Sequence, residues 1–146
     1  VFQVPSEQTA QTVRAAFDAG YRHIDTAQAY GNEEGVGRAL AESGLAREEV
    51  FVTTKLANDR HGETDAARAL EESLRRLGTD YVDLYLIHWP QPAENRYVET
   101  WRGFEKLLGE GRARAAKQSV LASVLTASSN ASALAGADDV ADQPSE

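Results

Sequence analysis

The segment Tyr81–Trp89, YVDLYLIHW, is apolar almost throughout, and this constrains the fold more than any other stretch. A strand with one wet face alternates polar and apolar residues, whereas a near-continuous apolar run suits a parallel strand covered on both faces. Parallel neighbours cannot be joined by a tight turn and need crossovers, usually helical. The rest of the chain supplies them. Val1–Val4 reads as the end of a strand closed by Pro5. Ser6 is the expected N-cap of a helix reaching Ala19, with Val13 and Phe17 inward and Gly20 as its stop.

Tyr21–Asp25 (YRHID) is the next expected strand. Asn32 then caps a helix whose apolar side includes Val36, Ala39 and Leu40 and which ends at Gly44. The β-branched run Val50–Leu56 (VFVTTKL) follows. Thr64 caps a third helix striped with Ala67, Leu70, Leu74 and Leu77, stopped by Gly78. Beyond Trp89, Pro90 and Pro92 precede a fourth helix with Tyr97, Trp101, Phe104 and Leu108 on one side, closed by Gly109 and Gly111. Strand and helix alternate with a period of roughly 30 residues, as right-handed βαβ units do. The fold class is therefore α/β with a parallel sheet, and either a barrel or a doubly wound sheet satisfies the pattern.

The character changes near Ala115. From there to Glu146 roughly half the residues are Ala or Ser, aromatics are absent and Lys117 is the single base. The expected organisation is a folded part over 1–114 and a divergent, disordered tail over 115–146, with a weak helix or strand within Gln118–Ala127. The opening VFQV is expected to begin inside a structural element, without a basic leader.

Charge and composition remove several function classes. A net charge of −8 opposes nucleic acid as the main partner. No apolar run approaches the roughly 18 residues of a membrane span. With no cysteine, disulfides and thiolate chemistry are excluded, which fits a reducing cytoplasm. His23, His61 and His88 are too scattered for a metal site, and no metal is expected. GNEEGVG is not a dinucleotide fingerprint, because its glycines do not match GxGxxG, and no GxSxG elbow is present.

What remains is a set of titratable residues at strand ends. The C-terminal ends of parallel strands share one face, and that face carries the chemistry. Asp25, Lys55 and His88 each close a separate expected strand, and Tyr30 lies in the loop after the first. A phenol acting as general acid near neutrality needs a nearby ammonium to stabilise its phenolate. Lys55 can supply it, Asp25 can hold Lys55 charged, and His88 can orient a carbonyl or share proton delivery. Each residue alone has an ordinary structural reading, but four at successive strand ends point to one site. A carbonyl polarised there would accept a hydride, which only a nicotinamide could bring.

HIDTAQAYGNEEGVG, VFVTTKL and VDLYLIHWP resemble the aldo-keto reductase signatures. The closer resemblance, through TTKL and the following NDRH, is to the bacterial branch that includes 2,5-diketo-D-gluconate reductase. It runs from Val1 to about Ala115. It implies the first four to five units of a (β/α)8 barrel that reduces aldehydes and ketones with NADPH. It implies Tyr30 as proton donor, Lys55 and Asp25 as its partners and His88 as the substrate-orienting residue. It also implies Phe2 and Trp89 in the substrate pocket, and Val1, with Asp25, near the nicotinamide ribose. Ala57 stands where relatives usually have Trp. After GRARA the family's GVSN-like strand is replaced by AKQSVLASVLTASSN, and nothing resembling strands six to eight follows, so the NADPH site is incomplete. Open sheet edges then imply self-association. Two other readings stand beside the reductase: a non-catalytic half-barrel persisting as an interaction module, and a lyase with Lys55 as Schiff-base amine.

Overall fold

The structure, a computed structural model, describes residues 1–118. It contains α1 (Ser6–Asp18), β1 (His23–Asp25), α2 (Glu33–Glu42), β2 (Phe51–Leu56), α3 (Glu63–Leu77), β3 (Val82–Ile87), α4 (Tyr97–Gly109) and β4 (Ala113–Gln118), with single 3-10 turns between several of them. The sheet is parallel, in the order β1-β2-β3-β4. Asp25 aligns with Thr53, Thr53 with Leu84 and Leu84 with Ala115.

That order resolves the alternative left open above. Right-handed crossovers between strands laid down in sequence put every helix on the same face. A doubly wound sheet needs a point where strand order reverses, and there is none among the described strands. Consecutive helices pack side by side, α1 on α2, α2 on α3 and α3 on α4. The result is a stretch of singly wound barrel wall.

The core lies between the helices and the side chains facing them. Val52 and Leu56 of β2 and Tyr85 and Ile87 of β3 meet Val13, Phe17, Val36, Leu70, Leu74, Leu77, Phe104 and Leu107 of the helices, all buried. Tyr85 stacks on Phe104 with ring centroids 4.4 Å apart. The opposite face is barer: Phe51 is 43% exposed, and Leu84 and Leu86 are only half-buried. Helix spacing is set partly by glycines. A Cβ on Gly37 would stand 2.5 Å from the Arg76 carbonyl oxygen of α3, and one on Gly103 would stand 2.6 Å from that of Glu63.

Several local expectations are corrected. Val1–Val4 is not a strand end but a turn, with Gln3 at φ 61°. Its carbonyls at Val1 and Val4 are taken by the Asn32 side-chain amide (2.9 and 3.2 Å) rather than by a ladder. Ser6 is the first helical residue and Pro5 sits at the cap, without a side-chain capping bond. Thr64 lies inside α3, whose cap position is Gly62; the Gly62 N–H is satisfied by Thr100 Oγ1 at 2.8 Å. The buried side of α4 is Thr100, Gly103, Phe104 and Leu107, so Tyr97, Trp101 and Leu108 are only half-buried. Gly103 sets that rotation, because it is where α4 presses on α3. Strand β4 runs through the position near Ala115 where the composition changes, its Ala115–Gln118 pairing with Leu84–Ile87. The expected disorder of the tail concerns positions 119–146, outside the described residues.

Gly37→Ala should destabilise the chain by about 1–3 kcal/mol, the usual cost of overpacking where backbone blocks relaxation. Gly109→Ala, which meets nothing within 4 Å, should be neutral or slightly stabilising in the same urea titration.

Candidate active site

Register and side-chain alternation build this site. His23 and Asp25 on β1 and Thr53 and Lys55 on β2 project from the same face, as the His23 Nε2 to Thr53 Oγ1 contact of 2.9 Å shows. The Lys55 ammonium therefore reaches across the C-terminal end of β1. It donates to Asp25 Oδ1 at 2.6 Å, to the Thr26 carbonyl at 2.9 Å and to the Tyr30 hydroxyl at 3.2 Å. An ammonium has three protons, and all three are used. The Lys55 side chain is 12% exposed, and three oxygens replace the water it has lost.

Tyr30 comes from the short 3-10 turn Gln28–Tyr30 between β1 and α2. Polar neighbours hold that turn. Gln28 donates from Nε2 to the Ala69 carbonyl and accepts from the Ala57 N–H, both at 3.3 Å. Asn32 sits at the expected cap of α2, but its side chain faces inward, accepting from Thr26 Oγ1 at 2.8 Å and donating to Val1 and Val4. Glu33, 1% exposed, accepts from Thr54 Oγ1 at 2.6 Å and from Arg76 Nε at 2.7 Å. It thereby ties the start of α2 to β2 and α3. Gln28, Asn32 and Glu33 escaped the sequence reading as site supports. The signal available was the spacing of Thr26, Gln28 and Asn32 through the seven-residue connection, with Glu33 directly after it.

His88 directly follows β3, and its ring meets Tyr30 edge-on with centroids 5.6 Å apart. Burial pushes the His88 imidazole below the ordinary histidine value, Lys55 pushes the same way, and Asp25 partly opposes them. It is a neutral imidazole at neutral pH, with one N–H to donate and one lone pair. Phe2 and Trp89 extend the row. The Phe2 ring lies 5.2 Å from that of Tyr30 and the Trp89 ring 6.5 Å from that of His88, stacked on it. Phe2 is 65% and Trp89 48% exposed. Two such apolar rings beside a polar cluster leave a surface that an apolar ligand would cover. Val1 lies against the end of β1, its nitrogen 2.6 Å from the Asp25 carbonyl. All seven residues singled out in the sequence thus fall on one face.

The site holds no candidate metal centre among the described residues. Its donor set suits the reacting end of a nicotinamide nucleotide instead. The Asp25 side chain is 46% exposed, and its Oδ2 makes no hydrogen bond among the described residues, so it can accept from a ribose hydroxyl. A concavity of about 360 Å³ between Leu40, Arg47, Leu77 and Tyr81 lies away from this face at the N-terminal end of β3. It carries none of these groups.

Known proteins resemble this chain over most of its length. Residues 2–120 match the model of the Aldo/keto reductase family. An aldo-keto reductase of Mycobacterium sp. (strain JLS) is 54% identical over 114 residues, which are 78% of this chain and 41% of that protein. The crystal structure of an aldo/keto reductase from Brucella melitensis superposes with TM-score 0.78 at 52% identity, covering 81% of this chain and 46% of the other. That of a Bombyx mori aldo-keto reductase in complex with NADP gives TM-score 0.73 at 45% identity, over 80% and 41% of the two chains. The chain spans about two-fifths of the length of the curated relatives it matches.

His88 should titrate below about 6.5 when followed by NMR of its ring protons. Lys55→Met should raise that midpoint, because it removes a cation that opposes protonation.

Proposed function

The chain belongs to the aldo/keto reductase family, and on that premise we propose that this face reduces aldehydes or ketones to alcohols with NADPH. The observation that carries the reading is the Lys55 ammonium, bonded at once to Asp25 Oδ1 and to the Tyr30 hydroxyl.

Tyr30 is the proton donor. As the carbonyl oxygen gains negative charge, the phenol passes it a proton, and the ammonium 3.2 Å away stabilises the phenolate left behind. Asp25 keeps the ammonium in place from the other side. His88, neutral, donates its N–H to the same carbonyl oxygen and fixes the orientation of the substrate. Phe2 and Trp89 cover the substrate's apolar part, and their rings displace water from the forming alkoxide. Asp25 and the Val1 backbone hold the nicotinamide ribose end. When bound, the reduced nicotinamide supplies the hydride that no side chain can provide. The solved Bombyx mori relative with NADP supports that choice of cofactor. A Schiff-base role for Lys55 is disfavoured, because all three protons of the ammonium are engaged and no lone pair is free to attack.

A second reading is favoured by one observation, the bare inner face with Phe51 at 43% exposure. Under it the chain is a non-catalytic half-barrel that associates with copies of itself.

One experiment separates the two. The purified chain is titrated with NADPH by fluorescence, then assayed on a simple aldehyde, with Tyr30→Phe in parallel and sedimentation velocity on both. The reductase reading expects binding, turnover and a loss of roughly a hundredfold or more in kcat for Tyr30→Phe with binding retained. Equal turnover by Tyr30→Phe would remove Tyr30 from its role. Absence of both binding and turnover in a self-associating chain would establish the second reading.

A further inference from the structure

Asn32 touches none of the reacting groups, yet its side chain joins elements that bear them. It stands at the cap of α2, shortly after Tyr30, and is 1% exposed. Its backbone is fixed, because the Asn32 carbonyl accepts the N–H groups of Gly35 and Val36 at 3.0 and 3.3 Å. A Cβ on Gly35 would stand 2.6 Å from the Cβ of Thr9, so α2 presses on α1 just beyond this point. The side-chain amide is fixed too. Its Oδ1 accepts from the Thr26 hydroxyl at 2.8 Å, and its Nδ2 donates to the Val1 carbonyl at 2.9 Å and the Val4 carbonyl at 3.2 Å. The reverse orientation would aim Oδ1 at two carbonyl oxygens, which offer no proton. Both amide protons are therefore engaged by the two ends of one turn.

That turn carries Phe2 and holds itself poorly. One backbone bond closes it, from the Val4 N–H to the Val1 carbonyl at 3.3 Å. Gln3 lies in the left-handed region at φ 61°, a conformation that surrounding contacts must enforce in a residue other than glycine. Phe2 is 65% exposed, so burial does little to anchor its ring, which meets that of Tyr30 at 5.2 Å. The Val1 nitrogen, 2.6 Å from the Asp25 carbonyl, ties only the first residue of the turn to β1. Among the described residues, Asn32 is the one side chain that bonds to both ends. We propose that Asn32 is a positioning residue of the reductase site: its amide clasps the Val1–Val4 turn, holds the Phe2 ring against Tyr30 and thereby sets KM for aldehydes whose apolar part reaches that ring. The inference rests on the reductase reading for its effect on KM, and on the hydrogen bonds alone for the placement of Phe2.

Thr26 links this clasp to the reacting end. Its hydroxyl donates to Asn32, and its carbonyl accepts from the Lys55 ammonium at 2.9 Å. The Phe2 turn and Lys55 are thus placed from the same residue, one through the Asn32 amide and the other directly. Loss of the two donations from Nδ2 frees the Phe2 ring. It leaves the bonds of Lys55 to Asp25, Thr26 and Tyr30 as they are. The signature expected is a weaker hold on large aldehydes with the chemical step preserved, which is the loss of binding common to ground and transition states.

Trp89 and Trp101 are the chain's two tryptophans, so Phe2→Trp in a Trp89→Phe, Trp101→Phe background places a sole indole fluorophore on the turn. Its fluorescence anisotropy should fall when Asn32→Asp is added, because that change keeps the acceptor for Thr26 and removes the paired donors to Val1 and Val4. Thr26→Val, which leaves those donors in place, should lower it much less. In the otherwise native chain, Asn32→Asp should raise KM for benzaldehyde about fivefold, the weight of one neutral hydrogen bond, with kcat nearly unchanged. KM for acetaldehyde, too small to reach Phe2, should stay the same. In a Phe2→Ala background Asn32→Asp should add no further rise, since its effect passes through that ring. Asn32→Ala, which brings no charge, carries the same expectations where Asn32→Asp does not fold. Unchanged anisotropy in a folded variant, an equal rise in KM for both aldehydes, or unfolding of both variants would overturn the proposal. An anisotropy response as expected without turnover in any variant would keep Asn32 as the clasp of the turn and count against the reductase reading instead.

Discussion

The Lys55 ammonium is the point on which the described structure depends. It is a charge largely withdrawn from water, and such a charge survives only where fixed oxygens replace its hydration. Those oxygens come from Asp25 at the end of β1, from the Thr26 carbonyl just past it and from Tyr30 in the turn beyond. They converge only if β1 and β2 run parallel with Asp25 opposite Thr53. A register slip of one residue would turn Lys55 toward the helices and leave the charge unpaired in the core. The geometry matters here more than the Coulomb energy, because Asp25 is nearly half exposed and water screens that pair.

A second polar layer supports the first. Glu33 is buried between Thr54 and Arg76, and Asn32 reaches back to Thr26 and to the N-terminal turn. Together with Gln28 they fix the turn that carries Tyr30, whose ring also packs against those of Phe2 and His88. Removing Arg76 would leave the buried Glu33 carboxylate at the start of α2 without its charged partner, with only the Thr54 hydroxyl bond among those described. The carboxylate side of this layer faces the helices, away from the reacting groups. It can therefore stay structurally constant while the residues on the open face carry the chemistry.

The wall itself is asymmetric. Helices cover one face of the sheet, and close approach at Gly37 and Gly103 draws them together. The other face carries Lys55 and Asp25 at its C-terminal end and half-buried or exposed apolar residues, Phe51, Leu84 and Leu86, below them. In the family the interior of the barrel is a packed core, and this chain matches about two-fifths of its relatives' length. The face that would complete that core is thus the same face that bears the catalytic candidates.

Much of this was legible in the sequence. The alternation of apolar runs with amphipathic segments established parallel βα units, because periodicity reports which faces are buried. The residues Asp25, Tyr30, Lys55 and His88 could be placed at one end of the sheet, because parallel strands align their termini. Local capping was read less well. Ser6 and Thr64 carry the side chains of helix caps, but Pro5 and Gly62 occupy the cap positions, since a hydroxyl from a distant helix, that of Thr100, can do what a local one would. The Val1–Val4 turn was hidden for the same reason: its partner is Asn32, far along the chain. The choice between barrel wall and doubly wound sheet belonged to strand order, which no periodicity contains. Sequence by itself determined which elements form and which residues stand at their ends, because those follow from short-range patterns of burial. Only the tertiary structure decided which distant polar groups satisfy one another, because hydrogen bonds across the fold are fixed by packing and leave no mark on local spacing.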